Sequence, residues 1–134
     1  MTKLVDIEGV GDLYAERLQT AGVATQEALL EAGSTPNGRQ DLAEKTSITE
    51  KLILGWVNRA DLTRVKGIGE EYADLLEAAG VDTVPELAQR KPENLFQKLV
   101  EVNEEYKLVQ QLPTEATVAN WVAQAKELPR VVTY

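Results

Sequence analysis

Cysteine and histidine are absent from this 134-residue chain, and aromatic side chains make up only 5% of it. Without cysteine the chain forms no disulfides or thiolate metal sites, and without histidine it lacks the commonest general base and metal ligand. Its two serines, Ser34 and Ser47, fall at turn or cap positions with no histidine to activate them. We therefore predict that the protein is not an enzyme and that it holds no cofactor and no metal ion.

Long hydrophobic runs are also missing. No stretch approaches the roughly 18 apolar residues of a membrane-spanning helix, and the first residues, Met1–Glu8, have no apolar run of signal-peptide length. The lack of cysteine fits a reducing compartment. We expect no membrane contact and a cytoplasmic location.

Positive charge is scarce relative to negative charge. Asp and Glu number 22 against 14 Lys and Arg, so the formal net charge is −8. A negative field repels nucleic acid and anionic membranes unless a local basic patch offsets it, although its commonest consequence is simply solubility. Apolar residues make up 43% of the chain, so a core must be built mainly from aliphatic side chains and alanine.

An internal duplication organises what is present. Gly9, Gly11 and Tyr14 recur 58 positions later as Gly67, Gly69 and Tyr72, and Trp56 recurs 65 positions later as Trp121. The second copy therefore carries about seven extra residues, within 98–111. We predict a first unit at 1–62 and a second unit at 63–134, the second with a longer helical insert and an extended C-terminal tail.

Each copy is predicted to be helical, because apolar residues recur at helical spacing between glycine, proline and threonine boundaries. Leu13, Ala15 and Leu18 are interpreted as one buried stripe. The tail at 130–134 is β-prone, and we expect it to be loosely packed or extended and available as a peptide-like contact. The predicted helices are 12–21, 26–31, 39–45, one opening at 47–50, 70–79, 86–90, 92–109 and 114–126. The predicted class is all-α, with the two units packed pseudo-symmetrically into one helical domain.

Two Gly-apolar-Gly segments, here called the first glycine turn (Gly9-Val10-Gly11) and the second glycine turn (Gly67-Ile68-Gly69), precede matching helices. Backbone N–H groups at such a turn and at the following helix start form an anion-binding concavity. The candidate contacts to a phosphate backbone are Gly9, Val10, Gly11, Arg64, Lys66, Gly67, Ile68 and Gly69. The alternative is that both turns are architectural, with Val10 and Ile68 filling the core.

The pattern apolar-x-x-apolar-x-Gly-apolar-Gly-x-x-x-Ala-x-x-Leu resembles the helix-hairpin-helix motif of DNA repair and replication proteins. It occurs twice, from Leu4 to Leu18 and from Leu62 to Leu76. The resemblance implies a tandem helix-hairpin-helix fold. Over nearly its whole length the chain is also similar to a prokaryotic family known as a domain of unknown function, through stretches such as 42–46, 56–62 and 65–73. That similarity implies a fold and no established activity.

Charge around the turns argues against nucleic acid. DNA-binding members of the motif usually carry Lys or Arg after the second glycine, whereas this chain has Asp12 in the first copy and Glu70-Glu71 in the second. Glu8 adds a further acid before the first glycine turn. Tight binding to a phosphate backbone needs several cations, and the second glycine turn offers only Arg64 and Lys66.

Other residues invite either a structural or a binding interpretation. Trp56 and Trp121 are predicted to pack in the core. Tyr14 and Tyr72 are expected to wedge each glycine turn or to contact a partner. The acidic cluster of the insert is interpreted as a solvated helix face in preference to a metal site, and as a place for partner-specific contact. The candidate partner contacts are Tyr14, Tyr72, Glu101, Glu104, Glu105 and Tyr134.

These observations favour a non-catalytic binding module that acts as a protein-interaction scaffold or adaptor and binds another protein or itself. The alternative is weak, sequence-nonspecific binding to a DNA or RNA backbone through the N–H groups of the two turns, which the charge disfavours.

Overall fold

The structure, a computed structural model, describes residues 3–7 and 9–134. Within these residues the prediction of an all-α protein is confirmed, since the one strand-like pairing is an isolated bridge between Lys3 and Thr25. A short 3-10 helix covers Leu4–Asp6. The α-helices are α1 (Asp12–Thr20), α2 (Gln26–Ala32), α3 (Pro36–Thr46), α4 (Glu50–Leu62), α5 (Glu70–Ala78), α6 (Val84–Gln89), α7 (Pro92–Tyr106) and α8 (Glu115–Glu127).

The chain forms two compact units, and the tail belongs to the first of them. The first unit comprises Met1–Asp61 and Arg130–Tyr134, and the second comprises Leu62–Pro129. The sequence repeat assigned the tail to the second unit. It packs with the first unit instead because Val132 is buried in that unit's core and the Thr133 N–H donates to the Ser34 carbonyl at 2.8 Å.

Threonine side chains begin five of the helices. In each case the hydroxyl oxygen accepts a hydrogen bond from the backbone N–H three residues later, which stabilises a helix by roughly 1 kcal/mol. The capping threonines are Thr25, Thr35, Thr49, Thr83 and Thr114. Helix α3 begins three residues before the predicted start at residue 39, because Thr35 caps it and Pro36 is its first residue.

Matching helix ends recur in the two units. Helices α1 and α5 end in Schellman motifs, in which the N–H groups of Val23 and Val81 donate to the carbonyls of Leu18 and Leu76 at 2.8 Å. Helix α7 was predicted to continue to Val109. It stops at Tyr106 because Lys107 adopts a left-handed backbone conformation with φ of 52°.

Each unit has its own aliphatic core. The core of the first unit contains Trp56, and the core of the second contains Trp121. The prediction that both tryptophans pack in the core is therefore confirmed. Leu13, in contrast, is 61% exposed, so its predicted place in a buried stripe was wrong. At about 100° per residue, Leu13 projects from the opposite side of α1 to the buried Ala15 and Leu18.

Candidate binding surfaces

The first glycine turn leads the chain into α1 around a buried apolar residue. Gly9 has a φ of +92°, a conformation that costs an L-residue roughly 1–2 kcal/mol. The Val10 N–H donates to the Ile7 carbonyl at 3.0 Å, and the Val10 side chain is buried. That N–H group is therefore used inside the protein. Glu8, counted above among the acids at this turn, lies outside the described residues.

The second glycine turn repeats this geometry with less space around it. Gly67 has a φ of +98°, the Ile68 N–H donates to the Val65 carbonyl at 3.1 Å, and Ile68 is buried. A Cβ placed on Gly67 would lie 2.9 Å from Nε1 of Trp121. Glycine is therefore required here for both its backbone conformation and its small size.

An aromatic pair packs behind each glycine turn. The rings of Tyr14 and Trp56 have centroids 5.3 Å apart at an interplanar angle of 53°, and those of Tyr72 and Trp121 are 5.4 Å apart at 52°. Tilted pairs at this distance are stabilising. The Tyr72 hydroxyl also donates to the Gln111 carbonyl at 2.9 Å. Both tyrosines thus brace their turns from half-buried positions.

Internal hydrogen bonds involve Arg64 and Lys66, the two cationic residues that precede the second glycine turn. Nη2 of Arg64 donates to the Pro129 carbonyl at 2.9 Å. The side-chain amide of Gln124 holds both sides of Lys66, because its Oε1 accepts from the Lys66 N–H at 2.9 Å and its Nε2 donates to the Lys66 carbonyl at 3.0 Å. The N–H groups of Lys66 and Ile68 therefore already have partners within the protein.

Carboxylates lie where an anion would approach either turn. Asp12 is in the first turn of α1, and Glu70 and Glu71 are in the first turn of α5. The positive end of a helix dipole favours carboxylates at these positions. Because they already supply negative charge there, both helix starts are poor sites for a phosphate.

The insert of the second unit is a fixed structure. Helix α7 has 15 residues where α3 has 11, and the segment after it runs from Lys107 to Thr114. Asn103 holds this segment from both sides: its Oδ1 accepts from the Val109 N–H at 3.0 Å, and its Nδ2 donates to the Val109 carbonyl at 3.1 Å. Val109 is buried, and the Tyr72 hydroxyl bond to Gln111 fixes the far end.

This fixed segment nevertheless presents apolar side chains to solvent. Tyr106 is 59% exposed and Leu108 is 39% exposed. The exposed Glu101, Glu104 and Glu105 precede them, and their i, i+3, i+4 spacing places these carboxylates on one side of α7. We call these five residues the insert surface. The predicted acidic cluster is thus followed along the chain by two exposed apolar side chains, which the sequence did not mark as a candidate site.

Both glycine turns and the insert fall inside one family match. The sequence model of a family described as "Domain of unknown function (DUF4332)" matches residues 8–128. The chain belongs to this family. The tail at 130–134 lies beyond the matched DUF4332 residues. No solved structure matches the chain significantly.

The structure places Tyr134 of this DUF4332 protein on the first unit. Its hydroxyl donates to Oδ1 of Asn58 at 2.9 Å, and the guanidinium groups of Arg39 and Arg130 lie 5.9 and 5.6 Å from its ring centroid. In the sequence, residue 39 is marked only as the start of the short helix predicted at 39–45. A buried arginine that recognises a segment more than 90 residues away has no local sequence signal.

Residues 3–7 and 9–134 contain neither a candidate metal site nor a candidate membrane span. In that part of the DUF4332 chain no three acidic side chains are grouped closely enough to hold a metal ion. None of the described helices combines the length and the apolar character needed to cross a bilayer.

Proposed function

We propose that this protein is a non-catalytic adaptor that binds another protein through the insert surface. The observation that carries this proposal is the exposure of Tyr106 and Leu108 on a segment held by Asn103 and Tyr72. Tyrosine is enriched among the residues that dominate binding energy at protein interfaces. A segment that is already ordered loses little conformational entropy when a partner binds.

The charges of the insert surface define the partner's chemistry. Three exposed carboxylates precede the two apolar side chains in the chain, so we expect the partner surface to combine an apolar patch with neighbouring Lys or Arg. Such charge complementarity chiefly raises the association rate and excludes acidic partners. At the matching place in the first unit, only Ser47–Thr49 separate α3 from α4, so the insert has no counterpart there.

We also propose that the two glycine turns are the hairpins of a tandem helix-hairpin-helix fold. Support comes from the repeated positive φ of Gly9 and Gly67, the buried Val10 and Ile68, and a helical segment on each side of each turn. In this proposal the hairpins stabilise the two units and the insert surface makes the contact with the partner. A cytoplasmic location fits the absence of cysteine from the chain.

The test is affinity capture of a stoichiometric companion from native lysate, followed by binding measurements with that purified companion. Tyr106→Ser combined with Leu108→Ser is expected to weaken binding at least tenfold, because two exposed apolar contacts are lost. Leu52→Ser is the matched control, since Leu52 is also an exposed leucine but lies on α4 of the first unit. Circular dichroism checks that all variants remain helical.

Two results would contradict the adaptor proposal. One is a companion that binds the insert variant and the Leu52→Ser control equally well. The other is a strictly monomeric protein, by sedimentation, from which no stoichiometric companion is recovered. Glu104→Lys with Glu105→Lys provides a further arm, because it should slow association with a basic partner, and the effect should diminish as salt screens the charges.

The alternative, weak and nonspecific binding to a DNA or RNA backbone, would use Arg64, Lys66 and the second glycine turn. Its support is that Gly69 caps α5 without a side chain, which leaves room for a phosphate at the helix start. The adjacent Glu70 and Glu71 and the net charge of −8 weigh against it. Binding at about 50 mM salt that disappears at physiological salt and in Lys66→Glu would reverse our preference.

A further inference from the structure

The tail lies in a groove of the first unit that recognises an extended segment. Val132 is only 2% exposed and is part of the first unit's core cluster. The residues on each side of Val132 are exposed or carry backbone bonds, so one apolar side chain anchors the segment. We call this groove, formed by Ser34, Arg39, Asn58 and the pocket for Val132, the tail slot.

The tail slot recognises backbone as well as side chains. The N–H of Thr133 donates to the Ser34 carbonyl at 2.8 Å, and Nη2 of Arg39 donates to the Thr133 carbonyl at 2.7 Å. Both backbone polar groups of Thr133 are therefore bonded. Asn58 receives the Tyr134 hydroxyl at 2.9 Å. This combination of backbone bonds, a pocket and an aromatic contact is a general mode of peptide recognition.

Arg39 marks the slot as a recognition site and distinguishes it from ordinary core packing. Helices α3 and α7 both begin with proline, and the third residue after that proline is Arg39 in α3 and Leu95 in α7. Both residues are buried, Arg39 to 5% exposure. Where the second unit has a plain apolar residue, the first unit buries a guanidinium that donates to the carbonyls of Gly33 and Thr133. A buried charge is costly unless its hydrogen bonds are made, and in the occupied slot the carbonyls of Gly33 and Thr133 provide those bonds.

We propose that the tail slot is an exchangeable peptide-binding site, and that the tail of a second copy of this chain can occupy it in place of the chain's own tail. The occupant is an extended segment with a central Val132 and Tyr134 two residues later. The contacts at the slot involve only residues 130–134 and the first unit, while the chain reaches the tail from Pro129 of the second unit. None of them depends on which copy supplies the tail.

Mixing two full-length variants tests the exchange directly. Val132→Asp leaves a slot with Arg39 intact but a tail that cannot dock, and Arg39→Leu leaves an intact tail released from a weakened slot. Leucine is the residue that the second unit packs at the matching position, so this variant retains a filled core. Each variant alone is expected to sediment as a monomer, and the mixture as a heterodimer. A mixture that stays monomeric at high micromolar concentration overturns the proposal.

A titration of the native chain makes the test independent of how well either variant folds. The chain is labelled with 15N, and an acetylated Arg-Val-Val-Thr-Tyr peptide is added. Because the tethered tail competes at an effective concentration in the millimolar range, half of the Thr133 amide signal should move to its disordered position at roughly millimolar peptide. Arg-Val-Asp-Thr-Tyr should need at least tenfold more. A tail signal that does not move, or that moves equally with both peptides, refutes the inference.

This inference does not rest on the proposed adaptor function. The insert surface belongs to the second unit, and the slot variants leave Tyr106 and Leu108 unchanged. A companion protein that binds the Val132→Asp variant normally, together with a failed exchange experiment, would retain the adaptor proposal and remove the tail-slot proposal. Successful exchange of the tail, together with loss of any companion protein, would retain the tail-slot proposal and remove the adaptor proposal.

Discussion

Replacing Gly67 by alanine tests whether the second glycine turn requires a residue without a side chain. In Gly67→Ala the new Cβ would lie 2.9 Å from Nε1 of Trp121, on a residue with a φ of +98°. Gly9→Ala places the same methyl group at the equivalent position of the first unit, where φ is +92° and the nearest atom, Nε1 of Trp56, is 3.5 Å away. The pair separates backbone strain from steric overlap, because both variants share the first effect and only Gly67→Ala has the second.

The expected magnitudes follow from these two effects. An L-residue in the left-handed region costs roughly 1–2 kcal/mol, and overpacking a filled site costs about 1–3 kcal/mol more. Replacing glycine also restricts the unfolded chain, which returns about 0.4–1 kcal/mol. We expect Gly67→Ala to lower the free energy of unfolding of the second unit by about 2–4 kcal/mol. Gly9→Ala should lower that of the first unit by about 0.5–1.5 kcal/mol.

Urea unfolding followed by tryptophan fluorescence measures both values, because each unit contains one tryptophan. Trp56→Phe leaves Trp121 as the only tryptophan of the protein, so that the fluorescence change reports unfolding of the second unit alone. Gly69→Ala is the matched control in the same turn, since its φ is −94° and a Cβ there meets nothing within 4 Å; it should change stability by less than about 0.5 kcal/mol. Equal effects of Gly67→Ala and Gly69→Ala would refute the assignment of Gly67 as the constrained position.

Three further substitutions test other parts of the fold. Lys107→Gly should raise the free energy of unfolding by up to about 1 kcal/mol, because φ at 107 is 52° and glycine adopts this conformation without strain; an unchanged urea midpoint would contradict the left-handed helix end. Gly55→Ala should stabilise α4 by about 0.5–1 kcal/mol, since the position is exposed and a Cβ meets nothing within 4 Å; a lower melting temperature would show a contact that the structure lacks. Asp82 raises the pKa of Glu86 above 4.5 through a side-chain hydrogen bond and like charge, with burial adding to the shift. The folded state therefore holds the Glu86 proton more tightly than the unfolded state, and stability is lost as the pH rises from 4.5 through the raised pKa. Asp82→Asn should recover a few tenths of a kcal/mol at pH 7 and little at pH 4, and an equal gain at both pH values would argue against this coupling.

The sequence predicted those features that are repeated or local. The repeat aligned Gly9 with Gly67 and Trp56 with Trp121, and the structure shows the same turn and the same aromatic contact in both copies. The helices predicted at 26–31 and 114–126 lie close to α2 and α8, which begin at threonine caps. Thr35-Pro36 carries the same combination of a threonine cap and an early proline as Thr83 and Pro85 in the second copy, so the start of α3 is signalled by the sequence.

Features that depend on distant contacts were not predictable. Val132 lies three residues after Pro129 and is not part of a periodic apolar pattern. Nothing nearby in the sequence therefore indicates that it fills the first unit's core. Its docking depends on Ser34 and Arg39, which are brought to it only by the folded chain. The exposure of Tyr106 depends on Lys107 ending α7 in a left-handed conformation, which lysine does not signal. Apolar composition alone would have placed Tyr106 and Leu108 in the core.

Assembly of the first unit from two separated pieces of chain has a consequence for synthesis on the ribosome. Thr133 and Ser34 are bonded across a sequence separation of 99 residues. At about 5–20 residues per second, roughly 4–14 s pass between translation of Asp61 and translation of Val132. During that interval the second unit is completed, while Arg39 of the nascent first unit has no Thr133 carbonyl to receive its hydrogen bond. The first unit of every copy therefore begins to fold before its own tail can occupy the tail slot.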